Sequence, residues 1–328
     1  VTFDPDAAAP ADGGLFGLPH PVEEAAVRVI PVPWEGTVSF GRGTAGGPSA
    51  VLEASHQVDL FHTEYGDAVW QAGIALEPVD PRIAEWGRKV AANPLPANVN
   101  PISSQLDSLV YDRAKSVLEA GRIPGVLGGE HSVALGGIVA AAEVHEGLGI
   151  LHIDAHADLR VAYEGFKRSH ASVMFNALEL APRLSCLVQV GLRDVGRAEV
   201  RLAEQDDRIR WHTDAAIGER TARGTPWSDI VYDLLDALPP KVWVSFDIDG
   251  LDPSLCPRTG TPVPGGLTWR EVIFLLRTLG ASDRQVVGFD LCEIAGEPWD
   301  ANVGARVLYE LAGASISTAS RDSSTVPR

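Results

Sequence analysis

Residues 152–158 read HIDAHAD, which sets His152, Asp154, His156 and Asp158 at every second position with only small or apolar residues between them. Alternate side chains of an extended segment share a face, so these titratable groups project to one side of a strand end, directly after the apolar run LGIL. DIDGLDP repeats the device with Asp247 and Asp249, GGEHS adds His131, and VVGFDLCE ends on Glu293. Gathering such groups costs free energy unless a cation neutralises them. His131, Asp154, His156, Asp158, Asp247 and Asp249 exceed the ligand set of one ordinary zinc; they suit two divalent ions ~3.5 Å apart, bridged by carboxylates and a hydroxide. Mixed imidazole and carboxylate ligation favours Mn2+ over Ni2+, Co2+ or Fe2+. His152 lies deeper in the strand and reads as a core histidine or one supporting a ligand rather than as a ligand itself. A lone DxD or a lone GGEH is a weak signal, the latter serving equally as a Gly-rich turn into a helix; their joint occurrence at strand ends is specific.

For these residues to meet, their strands must lie side by side. Apolar, β-branched runs occur at 25–33, 123–129, 148–154, 186–193, 241–249 and 286–293, too continuous to be half exposed. Between several of them lie helix-like segments, such as ISSQLDSLVYDRAKSVLEAG, SVALGGIVAAAEVHE and LTWREVIFLLRTLG. Buried strands joined by helices predict an α/β fold, a mostly parallel sheet with helices on both faces. In such sheets ligands gather beyond the carboxyl ends of the strands, which is where the candidate residues stand. With 328 residues, 45% of them hydrophobic, the chain can bury a large core. Residues 1–24 predict an irregular N-terminal arm, and no repeat or linker divides residues 25–328, a length that suits one large domain or two ordinary ones.

A net charge of −17, from 44 acidic and 27 basic residues, disfavours nucleic acid and anionic membrane and favours a small cationic substrate; the same charge also serves solubility alone. Cys186, Cys256 and Cys292 are odd in number and unpaired in spacing, which indicates neither a disulfide framework nor a thiolate metal site. Residues 1–25 lack a signal-peptide pattern and no apolar run approaches the ~20 residues of a membrane span, so a cytoplasmic location is expected.

GGEHS, DAHADLR and SFDIDGLDP, the last continuing through PSLCPRTGTPVPGGLT, stand in the order and spacing of the ureohydrolases. The chain resembles this family, which includes arginase and agmatinase, from about residue 25 to 315. The resemblance implies a single catalytic domain over 25–328, a three-layer α/β/α sandwich with a mainly parallel central sheet, and a binuclear manganese centre. By position, His131, Asp154, Asp158 and Asp247 would hold one metal and His156, Asp154, Asp247 and Asp249 the other. Asp158 would orient the nucleophile, Glu293 would grip the guanidinium and His170, in RSHASVMF, would relay a proton. A homo-oligomer, trimer or hexamer, is implied too.

The loop LRVAYEGFKR after DAHAD lacks the Asn and Ser series by which arginases grasp an amino-acid head group. Gly196 stands where arginases carry an Asp after the Arg193–Asp194 pair. No positive partner for a substrate carboxylate is evident there. The pattern is similar to bacterial and archaeal agmatinases, so the expected reaction is agmatine to putrescine and urea, with Tyr163 and Glu164 facing the ammonium end and Trp34 or Phe40 on the pocket wall. Alternatives are aminopropylagmatine, guanidinobutyrate, guanidine or arginine as substrate, or a non-catalytic member of the fold. A related single-zinc amide hydrolase is disfavoured by the second set of aspartates.

Overall fold

The computed structural model describes residues 3–10 and 12–322. Eight strands, β1 Val27–Val32, β2 Ile74–Leu76, β3 Ile123–Gly128, β4 Gly149–Ile153, β5 Cys186–Leu192, β6 Ile209–Thr213, β7 Lys241–Asp247 and β8 Gln285–Cys292, form one sheet. Their order is β2-β1-β3-β8-β7-β4-β5-β6, and every neighbouring pair runs parallel. The strand latest in sequence, β8, is thus inserted in the interior of the sheet, where it joins the β2-β1-β3 edge group to the β7-β4-β5-β6 group.

Both faces of the sheet are covered, which is why its strands read as continuous apolar runs. On one side Leu106 and Leu109 of the helix Pro96–Glu119, Leu135 and Ile138 of Ala134–Val144, and Val173 pack against Val126, Ile150 and Trp243. On the other, Val51, Ile230, Leu275 and Leu308, from the helices Gly47–Ser55, Trp227–Asp236, Trp269–Ala281 and Pro298–Asp322, meet Leu151, Val244, Phe246 and Phe289. The result is the three-layer α/β/α arrangement. Leu15, Phe16 and Leu18 of the N-terminal stretch belong to the second cluster, so that stretch, although irregular, is packed into the core. Among the described residues, no helix is long and apolar enough to cross a membrane.

One packing detail bears directly on the site. The Trp243 indole lies flat across β8, where a Cβ on Gly288 would come within 2.4 Å of it. Only glycine allows that approach, and it brings the indole N–H within 2.6 Å of Asp290 Oδ2, to which it donates.

Candidate metal centre and substrate pocket

The carboxyl ends of β3, β4, β7 and β8 deliver the expected residues to one rim: His131 just after β3, Asp154, His156 and Asp158 after β4, Asp247 and Asp249 at the end of β7, and Glu293 directly after β8. His131 Nδ1 lies 3.2 Å from Asp154 Oδ2, 3.1 Å from Asp158 Oδ2 and 3.4 Å from Asp247 Oδ2. His156 Nδ1 lies 3.4 Å from Asp154 Oδ1 and 3.1 Å from Asp249 Oδ2. Two groups of donor atoms therefore share Asp154, which turns one carboxylate oxygen to each. Backbone N–H groups hold the carboxylates: His156 donates to Asp154 Oδ1, Ala155 to Asp249 Oδ1 and Asp249 to Asp247 Oδ1.

These residues fit a pair of cations. His131 Nδ1 is buried and no hydrogen bond satisfies it, an expensive state for a polar atom unless a ligand completes it. Burial holds Asp247 well above the usual carboxylate range, with Asp249 and Asp154 adding repulsion. Burial and then Asp154 push Asp158 up to about 6. Asp154 itself is held well below its ordinary value, burial opposing but His152, His131 and His156 prevailing. Divalent charge would relieve the repulsion among the buried carboxylates and take up the bare nitrogen.

Beneath the cluster runs a row of polar residues, in register across β5, β4, β7 and β8: Gln189, His152, Ser245 and Asp290. All are fully buried, and their hydrogens can be assigned. The Trp211 indole, which can only donate, gives its proton to Gln189 Oε1. That orients the amide, so Gln189 Nε2 donates to His152 Nδ1 at 2.7 Å and to Ala157 O. Neutral His152 then carries its proton on Nε2, 2.8 Å from Asp154 Oδ2, which suits a residue that steadies a ligand. Ser245 Oγ donates to Asp290 Oδ1 at 3.0 Å and has only lone pairs left for His131 Nε2, 2.9 Å away. Neutral His131 therefore donates from Nε2 and presents Nδ1 bare to the carboxylates, the carboxylate–histidine arrangement common behind metal ligands. The sequence reading missed Gln189, Ser245 and Asp290; the available signal was a single polar residue in each of three otherwise apolar runs.

Above the cluster opens a cavity of about 260 Å³ with His156 and Asp158 at its base and Tyr163, His170, Arg160, Asp194 and Glu199 on its wall. Glu293 and His170 line an adjoining niche with Ser39 and Gly260. A Cβ on Gly260 would fall 2.8 Å from Glu293 Oε2, so glycine keeps that oxygen accessible. Glu293 Oε1 accepts from His131 N–H at 2.9 Å. Burial, then Glu130, holds its carboxyl well above the ordinary value. Asp158 and Glu293 both have positive φ, 53° and 62°, unfavourable for residues with a Cβ. Burial, then the charge of His156, pulls His170 down to about 4. Glu130 of GGEHS, also fully buried, is pushed up to about 7 by burial against the donors Ser132 and Thr37.

Three expectations change. Glu164 is exposed and lies outside the wall, its turn carrying φ 52°; besides Asp158 the lining carboxylates are Asp194, which is exposed, and Glu199, which is buried and committed to the backbone of Leu159 and Gly196. Trp34 is buried and lines a separate cavity, and of the two only Phe40 lines this one. The wall does contain a cation: Arg160 lies 4.9 Å over the Tyr163 ring, with Nε 3.7 Å from Glu199 Oε2.

The sequence profile of the arginase family matches residues 25–313. An N(1)-aminopropylagmatine ureohydrolase of Thermus thermophilus is 36% identical over 297 residues, covering 89% of this chain and 91% of its own. An agmatinase of Bacillus anthracis is 29% identical over 291 residues, covering 86% and 88%. Among solved structures, the agmatine ureohydrolase of Thermoplasma volcanium superposes with a TM-score of 0.73 over 94% of this chain and 96% of that one at 23% identity, a likeness of fold.

Proposed function

Because the chain belongs to the arginase family, whose members are binuclear-metal hydrolases of linear guanidino compounds, we propose that it releases urea from a guanidinoalkylamine, agmatine or its N1-aminopropyl derivative. The observation that carries this reading is the pair of His/Asp donor groups sharing Asp154, beneath a cavity lined by His156, Asp158 and His170 and beside an adjoining niche that holds Glu293.

His131, Asp154, Asp158 and Asp247 would hold one ion and His156, Asp154, Asp247 and Asp249 the other, with manganese the metal that this donor set favours. The ions supply activation of water near neutral pH when bound. The chain's own residues do the rest. Glu293 offers a carboxylate to the planar guanidinium, the pairing that forms two parallel hydrogen bonds. Asp158 accepts a hydrogen bond from the attacking water and orients it. His170, kept neutral, takes up a proton and passes it to the departing amine. Tyr163 lines the path of the alkyl chain, and Asp194 at the mouth can pair with a distal ammonium. An extra aminopropyl arm fits that open, acidic end, and the Thermus relative supports it. The family resemblance supports a homo-oligomer, trimer or hexamer.

Arg160 favours a second reading, a substrate with a distal carboxylate. A urea-release assay on manganese-loaded enzyme, comparing aminopropylagmatine, agmatine, guanidinobutyrate and arginine, separates the two. Either amine should lead by at least ~10-fold in kcat/KM, the size of one unpaired charge near the rim. Guanidinobutyrate or arginine as best substrate would sink the amine reading, and one tightly held zinc per active chain would sink the binuclear one.

A further inference from the structure

We propose that Glu130 and Thr37 form a two-link chain of hydrogen bonds that decides which ring nitrogen of His170 carries the proton, leaving Nε2 bare toward the pocket. The proposal rests on His170 being the proton carrier.

Glu130 sits between Gly129 and the ligand His131, and the hydrolytic chemistry gives it no task. Three donors converge on it: Thr37 N–H on Oε2 at 2.7 Å, Thr37 Oγ1 on Oε1 at 2.8 Å and Ser132 Oγ on Oε1 at 2.6 Å. A carboxylate only accepts, so the single hydroxyl proton of Thr37 is spent on Glu130. The remaining lone pairs of Thr37 Oγ1 accept from the His170 backbone N–H at 3.1 Å and face His170 Nδ1 at 3.2 Å. A bare Nδ1 there would set lone pair against lone pair; a protonated Nδ1 makes a hydrogen bond. Ser169 Oγ, 3.4 Å from Nδ1, can donate or accept and does not discriminate. The Tyr163 ring meets the imidazole edge-on at 5.9 Å and offers no polar atom to either nitrogen in that contact. Neutral His170 is therefore the Nδ1–H tautomer. Its Nε2, 3.3 Å from the exposed Ser39 Oγ, is left to receive a proton from the pocket and return it. The opposite tautomer would turn the N–H to the pocket and the basic nitrogen to the interior.

Thr37 and Glu130 are thus positioning residues, and their variants can invert the chain as well as cut it. In Glu130→Gln, Oε takes the Thr37 N–H and the amide group faces Thr37 Oγ1, so that Thr37 must donate onward to Nδ1 and the wrong tautomer is favoured. Thr37→Val removes the link while keeping the shape.

The test is a double-mutant cycle on manganese-loaded enzyme in alkaline buffer, with agmatine and aminopropylagmatine as substrates. We expect Thr37→Val to lower kcat about 5- to 10-fold, the weight of one hydrogen bond, with KM within about twofold and metal content unchanged. Thr37→Ser should restore kcat to within about twofold. Glu130→Gln should lower kcat further than Thr37→Val alone, yet change it by less than about twofold in the Thr37→Val background, since the hydroxyl transmits its effect. Independent, multiplicative effects overturn the chain, as does an unaltered kcat in Thr37→Val when His170→Ala is impaired. Unaltered kcat in His170→Ala removes the proton-carrier reading itself, and the proposal with it. If Glu130→Gln does not fold, the two Thr37 variants decide alone.

Discussion

A serine hydroxyl has one proton to give, and in Ser245 it goes to Asp290. That single commitment leaves His131 to donate from Nε2 and to keep Nδ1 free for the carboxylate cluster. Trp243 holds the other Asp290 oxygen, so in Asp290→Asn the amide group must replace Oδ1 and confront both Ser245 and His131. The imidazole would then prefer its proton on Nδ1, the atom proposed to bind the metal. We expect Asp290→Asn to weaken manganese binding about 10- to 100-fold without unfolding the chain, measured as free Mn2+ by electron paramagnetic resonance during titration of the metal-free protein. Wild-type affinity in that variant would mean that Asp290 does not hold His131. The candidate ligands were legible because polar types at period two after an apolar run are a pattern. Their supports were not: Gln189, Ser245 and Asp290 are each one polar residue in a buried strand, and Thr37 meets His170 across a gap that spacing cannot reveal. Arg160 was in plain view in LRVAYEGFKR, but only the fold turns its side chain over Tyr163 and onto the wall.

At the level of elements, the six strands that carry the core were legible and the sheet's two edges were not. β2 is three residues long, and β6 reads IRWHT with most of its residues half exposed; neither gives the continuous apolar run of a strand buried on both faces. The helix Pro298–Asp322 was also missed, since small residues in GARVLYELAGASIS blur its apolar stripe. In the helix Pro96–Glu119 the sequence reading began after Pro101, yet the helix starts at Pro96, a favoured first position. The same helix carries Asp107, with one oxygen 3.2 Å from Arg168. Burial pushes its carboxyl up to about 7, Arg168 opposing. The folded state thus binds this proton more tightly than the unfolded chain, whose carboxyl titrates near 4. Its contribution is fully present below about pH 4 and is lost as pH rises through about 7. Asp107→Asn should remove that dependence, worth at most about 4 kcal/mol from a shift of about three units. Urea midpoints at pH 5 and pH 8 for both proteins are the check, and parallel wild-type and variant values would refute it.

For the whole molecule, the order β2-β1-β3-β8-β7-β4-β5-β6 sets a timetable. During synthesis the chain carries all six candidate ligands, His131 to Asp249, before residue 285 is added, but its sheet is still in two pieces with no strand between them. Only when Gln285–Cys292 emerges can Gly125 pair with Phe289 on one side and Lys241 with Gln285 on the other. Such long-range pairings are slow to form, and they bring Glu293 to the pocket in the same event. Pulse-labelled hydrogen exchange during refolding should find β8 and its neighbouring edges of β3 and β7 protected together, in the last phase, and manganese uptake should share that rate. Early protection of β3 and β7, or metal capture ahead of β8, would show that the halves assemble without it. A nascent chain on the ribosome would accordingly hold a full complement of acidic and imidazole donors for some time with no means of choosing its metal, and selectivity would begin only at the closing strand.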